Sequence, residues 1–536
     1  MNCKPLVLPA VAGLLVPVLS ACGAGSDTAD SDDPIVVGTT DQISATGTAP
    51  APLDPAQAYE VSQWNMLRST LQTLLRMPRS GSTPQPEAAQ YCGFSDTANE
   101  QYRCTLRDGL TFSNGDPLTS RDVKYSVERV ARINYANGPK SLLDNVEAMD
   151  TPDARHIVFH LKRPDATFPL KLSTPAAAIV DHQVYPADKF LNGYDVVGSG
   201  PYTLKTTTRN GTLTGATFVR NPDYKGGLKP KNSSVQMKFY DTSSQMESAL
   251  RKGDIDVTNR VLTPEQVQKL QADGEDSGIT VQEAPGQEIR YLAFDTDAAP
   301  VSKKAVRQAM SQVINRGALV DHVYHNTDDP LYSLVPKGVN GHANSFFSKY
   351  GSPDPDAARK TLRDAHIDTP VKLTLTYTTR HYGLSTAREF AELKKQLNGT
   401  GLFRVRTQAV DDWQKFRSDE SKGKYAVYGM GWFPDFPDAD NYLAPFFGKN
   451  NFLGSPYRNQ RIESELIPAS RQKSNRYTAG ESLKEVQDIV ADDVPVLPLW
   501  QGKQYIAARD DITGAEWALN SSSALQIWEL GRGVGS

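Results

Sequence analysis

The sequence predicts an α/β fold, and two observations carry that prediction. Along 371–430, segments with the two-residue apolar period of a strand alternate with segments of helical period. That order builds a helix-covered, mainly parallel sheet. Elsewhere, helix starts are marked by capping residues at the right spacing.

In chain order, Val235, Met237 and Phe239 put three apolar side chains on one face of a strand. Thr263-Pro264-Glu265-Gln266 supplies an N-cap, a first-turn proline and a glutamine at the capping-box position, with Gly274 near the stop. Ser302 precedes a helix on which Val306, Ala309, Met310, Val313 and Ile314 share a face. Asp354-Pro355 starts another, running through Leu362. Val371, Leu373, Leu375 and Tyr377 alternate with polar residues and predict a strand over 371–379. A helix over 386–397, a strand over 403–410, a short helix over 413–416 and a strand over 425–430 follow. Ligands of open α/β sheets sit beyond the carboxyl ends of strands. That rule puts 431–447 at a cleft, with Arg380 and His381 facing it from the end of 371–379.

Hydrophobic residues make up 39% of the chain and charged ones 22%, a balance that supports packed cores rather than disorder. The net charge of −4 lacks the basic excess of a nucleic-acid binder, so no nucleic-acid partner is expected. Leu6 to Leu19 is apolar but interrupted by Pro9 and Pro17. It is too short for a bilayer span of roughly 20 residues and has the length of a signal-peptide apolar region. Leu19-Ser20-Ala21-Cys22-Gly23 resembles the lipobox of bacterial lipoproteins. This implies removal of 1–21, lipidation of Cys22 and anchoring to the extracytoplasmic face of the cell membrane, two acyl chains giving stable attachment. An ordinary signal peptide with an incidental cysteine is the other reading. Residues 22–34 read as a flexible acidic tether. Cys92 and Cys104 remain, an even pair in an exported chain, and read as a disulfide. A metal site is the weaker reading, because no histidine or further cysteine lies near in sequence.

The segment GMGWFPDFPDADNYLAPFF (429–447) sets Asp435, Asp438 and Asp440 among aromatics. Carboxylates buried in such company need partners. Asp438 and Asp440 match the first two ligand positions of an EF-hand loop. Leu443 stands where the loop needs glycine, however, and Lys449 where it needs glutamate, which argues against calcium. Gly198-Ser199-Gly200-Pro201 is no nucleophile elbow, since Val197 stands two before the serine; backbone freedom in a turn accounts for it. His156 and His160 fall on a strand, where they are about 13 Å apart and share no metal. No P-loop or complete dinucleotide fingerprint is present. The chain reads as a binder, with no cofactor, metal or catalytic set.

Seven segments together resemble the family-5 extracytoplasmic solute-binding proteins of ABC importers. They are LDPAQAYE (53–60), LRDGLTFSNGDPLTSRDVKYSVERV (106–130), VVGSGPYTLK (196–205), VRNPDY (219–224), VRQAMSQVINRGALV (306–320), GWFPDFPDADNYLAPFF (431–447) and VPVLPLW (494–500). The resemblance implies a two-lobed periplasmic-binding-protein-like fold, class II type, closing on a hinge, with an additional small domain. It divides the chain into a first lobe at 35–78, 197–285 and 504–536, an inserted domain at 79–196, and a second lobe at 286–503.

It also implies a monomer that delivers peptides or other small solutes to permease subunits. Asp435 matches the aspartate that holds the ligand α-ammonium in peptide-binding members, and Trp432 an aromatic of the ligand cleft, with plain core packing as its other role. Arg380 matches an arginine that meets the ligand carboxylate in dipeptide-binding members. Asp438 and Asp440, with Asn441 beside them, are expected to shape the loop. Pro434 departs from the pattern, standing where Gly, Ala or Cys is common, and it removes a backbone donor. A metal chelate or an oligosaccharide is an alternative solute, and peptide sensing without import an alternative role. A secreted hydrolase would need a catalytic pair that the sequence does not supply.

Overall fold

A computed structural model describes residues 33–260, 262–379, 381–383, 385–449, 451 and 456–533. The signal segment, Cys22, most of the tether and Arg380 therefore lie outside the described residues.

One mixed sheet of eleven strands runs through the molecule. At one end, Val371–Thr378 pairs in parallel with both Phe403–Val410 and Val427–Trp432. At the other, Ile35–Thr39 pairs in parallel with Ser234–Phe239 and Val257–Asn259. Two long antiparallel strands, Ile279–Phe294 and Val496–Arg509, join these ends. The hairpin Tyr202–Arg209 and Thr212–Arg220 extends the second end antiparallel. The sheet is thus not mainly parallel, as the alternation of elements suggested. Alternation reports which segments are strands, but the two long connectors, far apart in sequence, take part in four of the sheet's six antiparallel pairings.

Local signals fixed the helices well. Thr263 and Gln266 form the reciprocal cap of Pro264–Asp273, and Asp354 accepts from the amides of Asp356 and Ala357 at the start of Pro355–Asp364. Two elements shift. The short helix spans Trp413–Glu420, with Asp412 accepting from the Lys415 amide; its polar second half carries no apolar period to read. The strand after it is Val427–Trp432, extended because Gly431 and Trp432 pair with Arg290 and Ile289.

Apolar side chains gather into separate cores. The largest joins Leu375, Val427 and Leu292 to helices Lys304–Val313, Thr386–Gly399 and Gly480–Asp493. A second surrounds Val37, Trp64, Val235 and Trp528. A third lies under a four-stranded sheet, Ala89–Phe94, Gln101–Leu106, His156–Leu161 and Val146–Asp150, covered by Ser120–Ile133. Cys92 and Cys104 face each other across its first strand pair and are disulfide-bonded.

Buried charge ties the second and third cores together. The Arg129 guanidinium, 1% exposed, donates to both Asp54 oxygens at 2.7 and 2.6 Å and to the carbonyls of Pro186 and Lys189. Asp54 also accepts from the amides of Ala56 and Leu191.

Where the two long strands leave one core for the other, their register breaks between Pro285 and Ile289. A Cβ on Gly286 there would lie 2.2 Å from the Gly502 carbonyl oxygen, so the chains cross in near contact. Close approach also corrects the reading of Gly198 and Gly200. Neither has positive φ. A Cβ on Gly198 would sit 2.1 Å from the Thr70 carbonyl oxygen, and one on Gly200 2.4 Å from the Thr70 carbonyl carbon. Space, not backbone freedom, demands these glycines. Gly200→Ala is expected to cost about 1–3 kcal/mol by overpacking against backbone, seen as a lower urea midpoint; an unchanged midpoint would contradict that account. No described helix is long and apolar enough to cross a membrane.

Candidate functional site

The loop after strand Val427–Trp432 turns into a cleft whose opposite wall is the helix Val61–Thr70 and the residues leading into it. Asp435 reaches this cleft and is only 8% exposed. Asn441, at the start of helix Asp440–Phe447, holds it twice: its Oδ1 accepts from the Asp435 amide at 2.8 Å, and its Nδ2 donates to Asp435 Oδ2 at 2.8 Å. The same Oδ1 accepts from Trp432 Nε1 at 3.2 Å. From the opposite wall, Tyr59 OH donates to Asp435 Oδ2 at 3.2 Å. Among the described residues no Lys or Arg forms an ion pair with Asp435. Burial pushes its carboxyl up to about 6, against the opposing pull of the Asn441 and Tyr59 hydrogen bonds.

The three acids of the segment separate cleanly. Asp438 accepts from Arg476 Nε and Nη2 at 2.8 and 2.9 Å, and Asp440 from Arg471 Nε and Nη2 at 2.8 and 2.9 Å. Asp438 Oδ1 also accepts from the Asp440 amide. Bidentate arginine pairing of this kind fixes geometry as well as charge. The acids thus shape the loop through arginines that lie 31 and 38 residues downstream, partners that sequence spacing does not reveal. The strap bearing them also meets the third core: Asn99 Nδ2 donates to the Gln472 carbonyl, and the Ala166 amide to that of Arg471.

Trp432 is 7% exposed, packs its ring 5.4 Å from that of Phe446 and also lines the cleft. His381 lines the cleft and stacks flat on Trp413 at 3.7 Å. Burial, helped by the cations Arg290, Arg260 and Arg417, pushes its ring down to about 3, so it is neutral at physiological pH. Glu60 keeps accessible surface inside the cleft yet is walled in by protein, and burial pushes its carboxyl up to about 7 despite Arg260 and Arg417. Tyr59 and Arg68 also line this space, and neither carried a sequence signal of its own role.

The metal-like spacings dissolve. His156 and His160 each face a separate carboxylate, Asp153 and Asp150, both at 2.8 Å. Asp122, Asp181 and His182 do offer ligand atoms within 4.8 Å of one another. Their polar atoms are already engaged: Asp122 by the Thr119 amide and the His182 ring, Asp181 by Asn114 and the Gln183 amide. The group closes a turn against helix Ser120–Ile133.

The fold is that of the two-lobed periplasmic binding proteins with an additional small domain. The structure of the Escherichia coli murein tripeptide binding protein MppA matches 94% of this chain and 99% of its own, at a TM-score of 0.79 and 20% identity. The chain belongs to the bacterial extracellular solute-binding proteins, family 5, whose sequence profile matches residues 83–454. Curated relatives include the probable D,D-dipeptide-binding periplasmic protein DdpA of E. coli K12, 24% identical over 87% of this chain and 89% of its own. The glutathione-binding protein GsiB of Salmonella typhi is 25% identical over 88% and 91%.

Proposed function

We propose that the protein is the peptide-binding component of an ABC importer, tethered through Cys22, which closes on a peptide between its lobes and delivers it to permease subunits. The observation that carries this reading is Asp435, a buried carboxylate in the cleft with hydrogen-bond donors but, among the described residues, no ion-paired cation. A ligand ammonium completes it, because a desolvated charge is stabilised by an opposite charge at contact. The three relatives named above are described by peptidic ligands, which fits an ammonium-bearing solute. Trp432 forms part of the ligand wall, and Arg380, just beyond Val371–Thr378, is the proposed partner of a ligand carboxylate.

The proposed lobes are 35–78 with 197–285 and 504–536, and 286–503, with 79–196 inserted. The apolar cores support this division in outline. Leu142, Leu170 and Ala176 nevertheless pack into the second core, and Phe436 joins it from across the cleft. The test is a thermal-shift panel of free and N-acetylated tripeptides, with native mass spectrometry of the purified protein. Free-amine peptides are expected to raise the melting temperature by linkage; equal shifts from acetylated peptides would count against the ammonium role. Shifts from chelates or oligosaccharides alone would redirect the solute class.

Binding is also expected to depend on pH. In the unliganded cleft Asp435 holds its proton below about 6, whereas an ammonium ligand favours the ionised form. Apparent affinity therefore falls as pH drops through 6, by up to about tenfold per unit. Glu60, at about 7, titrates nearby, so the assignment rests on comparing calorimetric titrations of wild type and Asp435→Asn. The component centred near 6 should vanish in the variant.

A further inference from the structure

The cleft contains a second charge without an ion-pair partner among the described residues. Arg260 pairs with Asp41 at 2.8 Å, Arg290 with Glu288, and Arg417 with Glu420 at 2.7 Å. Arg68 lines the same space from the last turn of Val61–Thr70 and has no hydrogen bond or ion pair among the described residues. Its guanidinium meets only the ring of Trp64, one turn earlier on the same helix face, at 5.2 Å. The Asp435 charge acts on it, and the Tyr59–Trp64 ring pair lines the same space. Burial pulls the guanidinium down to about 10, and Asp435 opposes that shift. An arginine held half-buried with no acceptor among the described residues, on a wall built of aromatic rings, is an open fork for a carboxylate.

Resting on the reading of Asp435 as ammonium receptor, we infer that Arg68 receives a ligand carboxylate close to that ammonium. The favoured ligands are then short zwitterions. A long peptide, whose only fixed carboxylate lies many residues from its amino end, leaves Arg68 desolvated and unpaired. Two sources supply the shared chemistry: the C-terminal carboxylate of a dipeptide, which Arg68 would then hold in place of Arg380, or the α-carboxylate of an amino-terminal γ-glutamyl residue.

Three probes separate them: Ala-Ala, Ala-Ala amide and γ-Glu-Ala amide. Each is titrated calorimetrically into wild type, Arg68→Gln and Asp435→Asn. Wild type is expected to prefer at least one acid over Ala-Ala amide by on the order of a hundredfold, as for a buried charge pair. Arg68→Gln should erase that preference while its unliganded melting temperature stays equal to or above wild type, since an unpaired cation is removed. The preferred acid identifies the source. The proposal is overturned if the preference survives in Arg68→Gln, if all three probes weaken alike, or if neither acid binds. Asp435→Asn should weaken all three. If it does not, while Arg68→Gln still erases the acid preference, the ammonium reading fails and the carboxylate site stands.

Discussion

Asp435→Asn is expected to weaken binding of a free-amine peptide such as Ala-Ala-Ala by about 3–5 kcal/mol, because the ligand ammonium then sits buried without a counter-charge. Calorimetry should show a loss of several hundredfold or more, and N-acetylated peptides should show little change. Unliganded stability should move the other way. The carboxyl sits near 6 in the folded chain and at the ordinary 3.8 when unfolded. The folded state thus binds the proton more tightly, and its advantage is lost as pH rises from 3.8 through 6. Above that window the ionised group opposes folding by roughly 3 kcal/mol at one 1.36 kcal/mol step per unit. Asparagine mimics the protonated form and keeps the contacts to Tyr59 and Asn441 within reach, so at pH 7.5 the variant should melt at or above wild type. A variant that binds peptide normally and melts lower would show Asp435 to be a structural acceptor only.

The second large effect is on stability. Arg129→Met leaves the Asp54 carboxylate buried without its cation, and breaking a buried pair this way costs about 3–5 kcal/mol. Asp54 retains the Ala56 and Leu191 amides, while the carbonyls of Pro186 and Lys189 lose their donor. The loss should appear as a lower urea midpoint together with faster amide exchange over 186–191. A drop below about 1 kcal/mol would mean that water replaces the guanidinium there.

What could be read in the sequence follows the range of the interactions. Thr263 with Gln266, and Asp354 with Pro355, act within one turn, and their helices begin where those residues placed them. The strand Val371–Thr378 was equally plain, because its period is local. Its sheet was not, because Ile279–Phe294 and Val496–Arg509 find each other across some two hundred residues. The same limit divides the site. The segment 431–447 could be placed at a cleft from strand order. That Asp438 and Asp440 belong to Arg476 and Arg471, and that Asn441 grips Asp435 rather than standing beside the scaffold acids, needed the fold. Arg68 was invisible, since an arginine in a helix reads as surface until the opposite wall closes over it.

The two arginine clamps have a practical corollary. They fasten the loop at Asp438 and Asp440, behind Asp435, and bind it to a strap that itself rests on Asn99 and Ala166. Phe433 and Pro434, at the cleft edge, take no part in that fastening. The recognition edge and its foundation are therefore separable. On the proposed peptide-binding reading, substitutions at 433 and 434 are expected to retune which ligands are bound, so a library confined to those positions offers a route to altered specificity with the loop's mooring left intact.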